Sequence, residues 1–191
     1  METLEAIATR RSIGKVRAER PPRESIERML EAAVQAPNHH LTEPWRFFVL
    51  AGEAREELGR VMADVLRQRL DDPESEAGRV QIAKEMEKPL RAPVLIAVAT
   101  KKSDNPRIVP IEDIEATAAA VQNMLLAAHD SGLAAQWRTG DAAYDPEIKT
   151  FFGLSPEDHL AGFIYVGYAD KEPGPRQRGP ASAKTEWRGW D

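Results

Sequence analysis

Apolar positions recur along this chain with helical and strand periods. Leu4, Ile7 and Ala8 share one face between Thr3 and Thr9, which predicts a short first helix. Pro21-Pro22 interrupts the chain. Ser25 then reads as a cap for a helix carrying Ile26, Met29, Leu30, Ala33 and Val34 at helical spacing. Pro37 ends it, because the residue before a proline avoids the helical region. Trp45 to Leu50 reads as a strand. A charged helix is expected from about Glu53 to Arg69, with Leu58, Val61, Met62, Val65 and Leu66 inward. The acidic stretch Asp71 to Glu76 reads as a loop, followed by a weaker helix over about Val80 to Lys88. Pro93 to Ala99 is a short continuous apolar run, the pattern of a buried strand. The longest helix runs from Ile111 to Ser131. It carries Ile114, Ala118, Val121, Leu125 and Ala128 in helical register and further Ala and Leu on its other faces. A helix apolar nearly all round is a central, buried one. Gly132 is its natural stop. Ala134 to Thr139 predicts a third strand. Pro146 to Phe152, stopped by Gly153, predicts a short helix, and Leu160 to Tyr168 a fourth strand before a Pro/Arg-rich tail.

Four short strands interleaved with helices, without internal repeats, predict a layered α+β fold. The 191 residues make one domain, 1–191, with a helical excursion at about 53–90 and a basic C-terminal tail at about 171–191. The 42% apolar content supports a core and argues against disorder. The longest purely apolar run, Val94 to Ala99, is far short of the ~20 residues of a membrane span, so no membrane partner is expected. No secretory signal is evident at the N-terminus, and a cytoplasmic location is the default expectation. The absence of cysteine excludes disulfides, thiolate zinc sites, iron–sulfur clusters and a cysteine nucleophile. A net charge of −5 argues against nucleic acid as the main partner.

That charge is unevenly spread. Residues 1–20 carry Arg10, Arg11, Lys15, Arg17 and Arg20 against Glu2, Glu5 and Glu19, and the tail carries Lys171, Arg176, Arg178, Lys184 and Arg188 against Glu172, Glu186 and Asp191. Each end is net +2, which leaves −9 for the body between them. Two basic ends suit one anionic ligand such as a phosphate, although solvated tails explain charge alone more simply.

Four segments carry candidate chemistry. Arg10-Arg11-Ser12 offers two guanidinium forks and a hydroxyl where the first helix ends; taken alone it is a common surface sequence. Ala36-Pro37-Asn38-His39-His40 leads into Pro44-Trp45. Adjacent histidines diverge, and the flanking prolines argue against a helix that would pair His39 with Glu43, so no metal site is expected. Trp137-Arg138-Thr139-Gly140 closes the third strand, where ligand contacts are common in layered folds. Arg176-Gln177-Arg178 lies in the tail. There is no phosphate-cradling glycine loop and no nucleophile elbow.

Taken together and in this order, these segments, with Trp45-Arg46-Phe47, Gly132-Leu133 and the Gly162 to Gly167 stretch, resemble the nitroreductase family of flavin enzymes, most of all its short, YdjA-like branch. The resemblance covers nearly the whole chain. It implies an α+β sandwich, a central mixed sheet of four to five strands flanked by helices, that works as an intertwined homodimer with one FMN per subunit at the interface. By the same resemblance, Arg10, Arg11 and Ser12 lie at the FMN phosphate and ribityl chain. Gln35 stands where relatives often carry arginine and contacts the flavin. His39 reaches the flavin, across the interface. The backbone of Trp137, Arg138, Thr139 and Gly140 approaches N5 and O4 of the ring, and Arg176 and Arg178 clamp the phosphate.

The implied activity is hydride transfer from NADPH or NADH onto flavin N5 and on to a small electron-poor acceptor, a nitroaromatic, quinone or activated alkene. The chemistry is then the cofactor's and needs no catalytic side chain. Two alternatives share the cofactor: a flavin enzyme for a dedicated substrate without fast nicotinamide turnover, and a flavin-binding protein that does not turn over.

Overall fold

The computed structural model describes residues 1–171, 173–174 and 176–190. Glu172, Pro175 and Asp191 of the basic tail lie outside the described residues. Four strands, β1 (Trp45–Ala51), β2 (Val94–Thr100), β3 (Ala134–Arg138) and β4 (His159–Gly167), form one sheet in the order β1-β2-β4-β3. Every pair is antiparallel. The parallel part of the expected mixed sheet is a single bridge, Ser12 to Ala135.

The pleat divides the core in two. Val94, Ile96, Val98, Ala135, Ile164 and Val166 point to one face, covered by α2 (Arg23–Ala33) and α5 (Pro110–Asp130). Leu95, Ala97, Ala99, Phe163 and Tyr165 point to the other, covered by α3 (Glu53–Arg69) and the short α6 (Asp141–Tyr144) and α7 (Pro146–Phe151). All of β2 is buried, as its unbroken apolar run predicts. α4 (Glu76–Met86) packs on α3, so the excursion at 53–90 is a helical pair.

Two helix starts and one helix face differ from expectation. α4 starts four residues before Val80, because the Ser75 hydroxyl accepts the Gly78 N–H at 3.0 Å, a cap hidden inside the acidic loop. Ser25 is not a cap but a buried residue within α2, which starts after Pro22. The short α1 (Thr3–Thr9) forms, but buries only Ala6; Leu4 and Ile7, two residues of its expected inner face, are 81% and 53% exposed. α5 is likewise buried on one side only. Ala116, Ala120, Val121, Met124, Leu125 and Ala128 face the sheet, whereas Ile111 is exposed and Ile114, Ala118 and Leu126 are half-buried.

The two sheet edges differ. Residues 12–17 run along β3 and the end of β4: Ile13 N–H donates to Ala135 O at 3.1 Å, Arg17 N–H to Tyr168 O at 2.8 Å, and Asp170 N–H to Lys15 O at 3.1 Å. The β1 edge has no neighbouring strand among the described residues, and Val49 on it is 46% exposed. Residues 176–190 are exposed throughout, Trp187 and Trp190 included.

Candidate functional site

The covered β3 edge brings together the first and third of the four candidate segments. Arg10 caps α1, its N–H donating to Ala6 O at 2.9 Å. The chain then turns and lays Ser12 beside Ala135 of β3. Gly14 lies against the Gln136 side chain, whose oxygen is 2.1 Å from where a Cβ would stand. Five residues further along the edge from Ala135 stands Gly140, about 16 Å away at ~3.3 Å per residue.

Arg10 carries the clearest sign of a ligand. Its Nη1 is buried without a hydrogen-bond partner among the described residues. Burial lowers its pKa, and Arg178, Arg176 and Arg11 push it the same way. Both tail arginines thus act on Arg10 through their charge. A guanidinium stripped of water and crowded by like charges is expensive, and a bound anion relieves both costs. Arg11 is turned the other way. Its Nη1 donates to Ala8 O, Thr9 O and Arg10 O at 2.8–3.0 Å, closing the last turn of α1. It adds charge to the cluster while its fork serves the helix end.

At the far end of the edge, Trp137 lies over Gly162 and its Nε1 donates to Ala161 O at 3.0 Å. Gly162 has φ +130°, and a Cβ there would meet Arg138 O at 2.5 Å and Trp137 Nε1 at 2.9 Å, so only glycine lets the indole seat. Gly140 has φ +121° and open space where a Cβ would be. Neither the Thr139 nor the Gly140 N–H donates a hydrogen bond among the described residues. The stretch is an uncovered backbone ledge with donors to spare.

His39 sits elsewhere. It opens a one-turn 3-10 segment, His39–Leu41, stacks on His40 at 3.9 Å between ring centres, and places Nδ1 2.9 Å from Glu112 Oε2 in the first turn of α5. The loop is held in an unusual shape. His40, Leu41 and Glu43 all have positive φ, Asn38 Oδ1 accepts the Glu43 N–H at 3.0 Å, and the Thr42 hydroxyl donates to buried Asp113 at 2.6 Å. α1 is tied at both ends to the opposite end of α5: next to Arg10 the Thr9 hydroxyl lies 2.9 Å from His129 Nε2, and before the helix the Met1 amine lies 2.9 Å from Asp130 Oδ1. Glu112 and His129 are nearly five turns apart, about 26 Å at ~1.5 Å per residue. Within one chain, therefore, His39 and Arg10 do not meet. Gln35 is exposed and lines a shallow surface between α2, α5 and the start of α1, with Asn123 and Asp130. Two participants escaped sequence reasoning. Glu112 is one, signalled only as an acid in a first helical turn; the other is Arg91, which lines a pocket at Tyr165 together with the already expected Arg138. No three histidine or carboxylate side chains converge as a metal site would require among the described residues.

The layered sheet, with its long central helix and arginine-lined edge, defines an α+β class of which relatives are known. The description "Nitroreductase family" matches residues 7–168. The Escherichia coli (strain K12) protein named as the NAD(P)H nitroreductase YdjA is 31% identical over 167 residues, 87% of this chain and 88% of its own. The crystal structure of a nitroreductase-like family protein from Bacillus cereus superposes with a TM-score of 0.82 at 28% identity, over 99% of this chain and 97% of that one. A structure from Desulfovibrio desulfuricans, named as a nitroreductase in complex with FMN, matches at 0.75 and 25% identity over the whole of both chains. The chain belongs to the nitroreductase family, and it is an oxidoreductase.

Proposed function

We propose that this chain is an FMN-dependent NAD(P)H oxidoreductase that works as a homodimer with its flavin sites shared between subunits. The observation that carries the cofactor is the buried, unpartnered Nη1 of Arg10 among Arg11, Arg176 and Arg178. A phosphate monoester fits that cluster, with the Ser12 hydroxyl beside it. The uncovered N–H groups of Thr139 and Gly140 lie along the same edge, at a distance suited to the far end of an extended mononucleotide. The FMN in the Desulfovibrio desulfuricans relative supports the same choice.

When bound, FMN supplies the redox chemistry, two-electron exchange between NAD(P)H and a small electron-poor acceptor such as a nitroaromatic, quinone or activated alkene. The chain's own residues do the rest. Arg10, Arg176 and Arg178 neutralise the phosphate. Ser12 and the β3 edge set the direction of the ribityl chain. The Thr139 and Gly140 N–H groups offer donors to the ring edge, and Gly140, without a Cβ, keeps room for a planar ligand.

The dimer rests on separate observations. Leu4 and Ile7 of α1, and the Ile111, Ile114, Ala118 and Leu126 side of α5, are apolar faces that this chain leaves uncovered. The open β1 edge and the exposed tail, with Trp187 and Trp190, offer further surface to a second copy. If His39 contacts a flavin held by Arg10, the length of α5 requires that the two come from different subunits. Absorbance of the purified protein and its anaerobic bleaching by NADPH or NADH test the function. Protein that neither carries nor takes up FMN refutes it. Bleaching within seconds supports a nicotinamide-dependent reductase, and persistent colour with every donor refutes that activity.

A further inference from the structure

Immediately beside the Thr139-Gly140 ledge, on the α3 side of the sheet, lies a small pocket of about 70 Å³. Arg138 at the end of β3, Arg91 from the 3-10 turn Lys88–Arg91, Lys88 and Asp141 line it, and Tyr165 of β4 forms its floor. Its charges are not all available. Lys88 is paired with Glu85 across one helical turn. Arg91 and Arg138 have no carboxylate partner among the described residues, although Asp141 is close by. Tyr165 is 6% exposed, and its hydroxyl makes no side-chain hydrogen bond among the described residues, so it is open to the pocket. Arg91 and Arg138 line the same pocket as Tyr165; burial raises the phenol's pKa, the two guanidinium charges act to lower it, and Glu85 acts weakly against them. Two unneutralised forks, one phenolic donor and room for one small group describe a receptor for an oxyanion.

We infer that Arg91, Arg138 and the Tyr165 hydroxyl form an anion subsite beside the flavin ring, which holds the negatively charged group of a substrate: the 2′-phosphate of a nicotinamide donor or the carboxylate of an acceptor. The inference rests on the flavin function proposed above, since it places the subsite next to the ring-facing backbone. The subsite is distinct from the Arg10 cluster, which lies at the other end of the β3 edge. It makes charge, rather than ring shape alone, a determinant of which substrate binds productively.

The test uses flavin-loaded dimer and compares wild type with Arg91→Gln and Arg91→Lys. Oxidised protein is titrated with NADP⁺ and NAD⁺, followed by the flavin absorbance change, so that binding is read without turnover. Steady-state KM is then measured for NADPH and NADH, and for 4-nitrobenzoate against a neutral nitroaromatic ester. If the subsite takes the donor phosphate, Arg91→Gln weakens NADP⁺ relative to NAD⁺ by about tenfold and shifts the KM ratio equally, with Arg91→Lys in between. If it takes an acceptor carboxylate, the nicotinamide ratio stays fixed and the nitrobenzoate-to-ester KM ratio rises by a similar factor. If both ratios are unmoved in protein with full flavin, the subsite is refuted while the flavin function stands. Failure to bind flavin in wild type refutes that function instead. Tyr165→Phe, which deletes only the hydroxyl, is the second variant: it moves the same ratio in the same direction, by about threefold to tenfold.

Discussion

Arg10→Ala separates phosphate binding from every other role that residue could have. Arg10 Nη1 is buried and unpartnered, so it is poised to donate a charge-assisted hydrogen bond as soon as an anion arrives. Such a bond contributes about 1.5–3 kcal/mol. At about 1.4 kcal/mol per factor of ten, its loss weakens FMN roughly ten- to 150-fold. Arg176, Arg178 and Arg11 remain near the vacated place and keep part of the electrostatic attraction. The expected loss therefore falls in the lower half of that range, about ten- to 40-fold. Riboflavin has the same ring and no phosphate, so its affinity changes little. Arg10→Lys is intermediate, because it keeps the charge and loses the fork. Arg17 is the control: its guanidinium stacks on Tyr168 at 5.2 Å and pairs with Glu19, so its removal leaves both flavins unaffected. The ligand-free protein gives a second readout. Arg10 is held among like charges, so Arg10→Ala does not lower the melting temperature of the apoprotein. Fluorescence titration with both flavins, and thermal melts without either, decide the matter. Equal losses for FMN and riboflavin, or a large drop in apoprotein stability, would falsify the phosphate assignment.

Mixing His39→Ala and Arg10→Ala subunits under proven exchange restores about half the wild-type flavin in the heterodimer, because one shared site is doubly damaged and the other intact; no recovery would put both residues in one chain's site. Ile7→Glu with Ile111→Glu alters side chains that are more than half exposed in the single chain, so a monomer tolerates the pair to within ~1 kcal/mol, whereas a dimer dissociates and releases flavin; light scattering that gives the same mass for wild type and variant contradicts the interface. Burial, with Lys149 as a lesser cause, lowers the pKa of His159 from its ordinary 6.5. The unfolded chain thus binds the proton more readily, and stability rises with pH up to about 6.5 and falls below it. His159→Gln flattens denaturant midpoints measured from pH 5 to 7.5; an unchanged slope means that His159 does not contribute to it. Gly162→Val drives a side chain into Arg138 O and the Trp137 indole, so it displaces the Thr139-Gly140 ledge and costs FMN and riboflavin affinity alike, the opposite selectivity to Arg10→Ala.

The elements that periodicity marked strongly are those whose partners lie within the chain. β2 was legible because all seven of its residues are buried, and α2 and α3 because each packs one stripe against a sheet face. The misplaced starts of α2 and α4 have local causes. Pro22 opens α2, so Ser25 was free to be buried, and the Ser75 cap sits within a run of acids that resembles an exposed loop. The charge cluster at Arg10 was legible in the sequence: Arg176 and Arg178 of one basic end act on Arg10 of the other, and its role as a phosphate site is the proposal made above. The arginine pair at Tyr165 was not legible, because Arg91 and Arg138 are distant in sequence and meet only when β4 brings Tyr165 between them.

Where the pattern overreached, it marks apolar surface that the single chain leaves uncovered and that the proposed dimer would cover. α5 is apolar on nearly every side, yet the single chain covers only the side toward the sheet and α2. The inner face expected for α1 points largely to solvent. A local pattern records which surfaces are apolar, and it does not say which molecule covers them. The same ambiguity governs the site. His39, Arg10 and Thr139-Gly140 are separate candidates in sequence, and their anchor points on α5, Glu112 for His39 and His129 for Thr9 beside Arg10, lie about 26 Å apart. In the proposed dimer one helix therefore does two things. Its outer side, with Ile111, Ile114, Ala118 and Leu126, supplies a surface for association, and its length keeps a chain from completing the proposed flavin site with its own His39. Shortening α5 by two turns would spoil both at once. Association and cofactor binding should accordingly be lost together in variants of its outer side, even in those that touch no flavin contact.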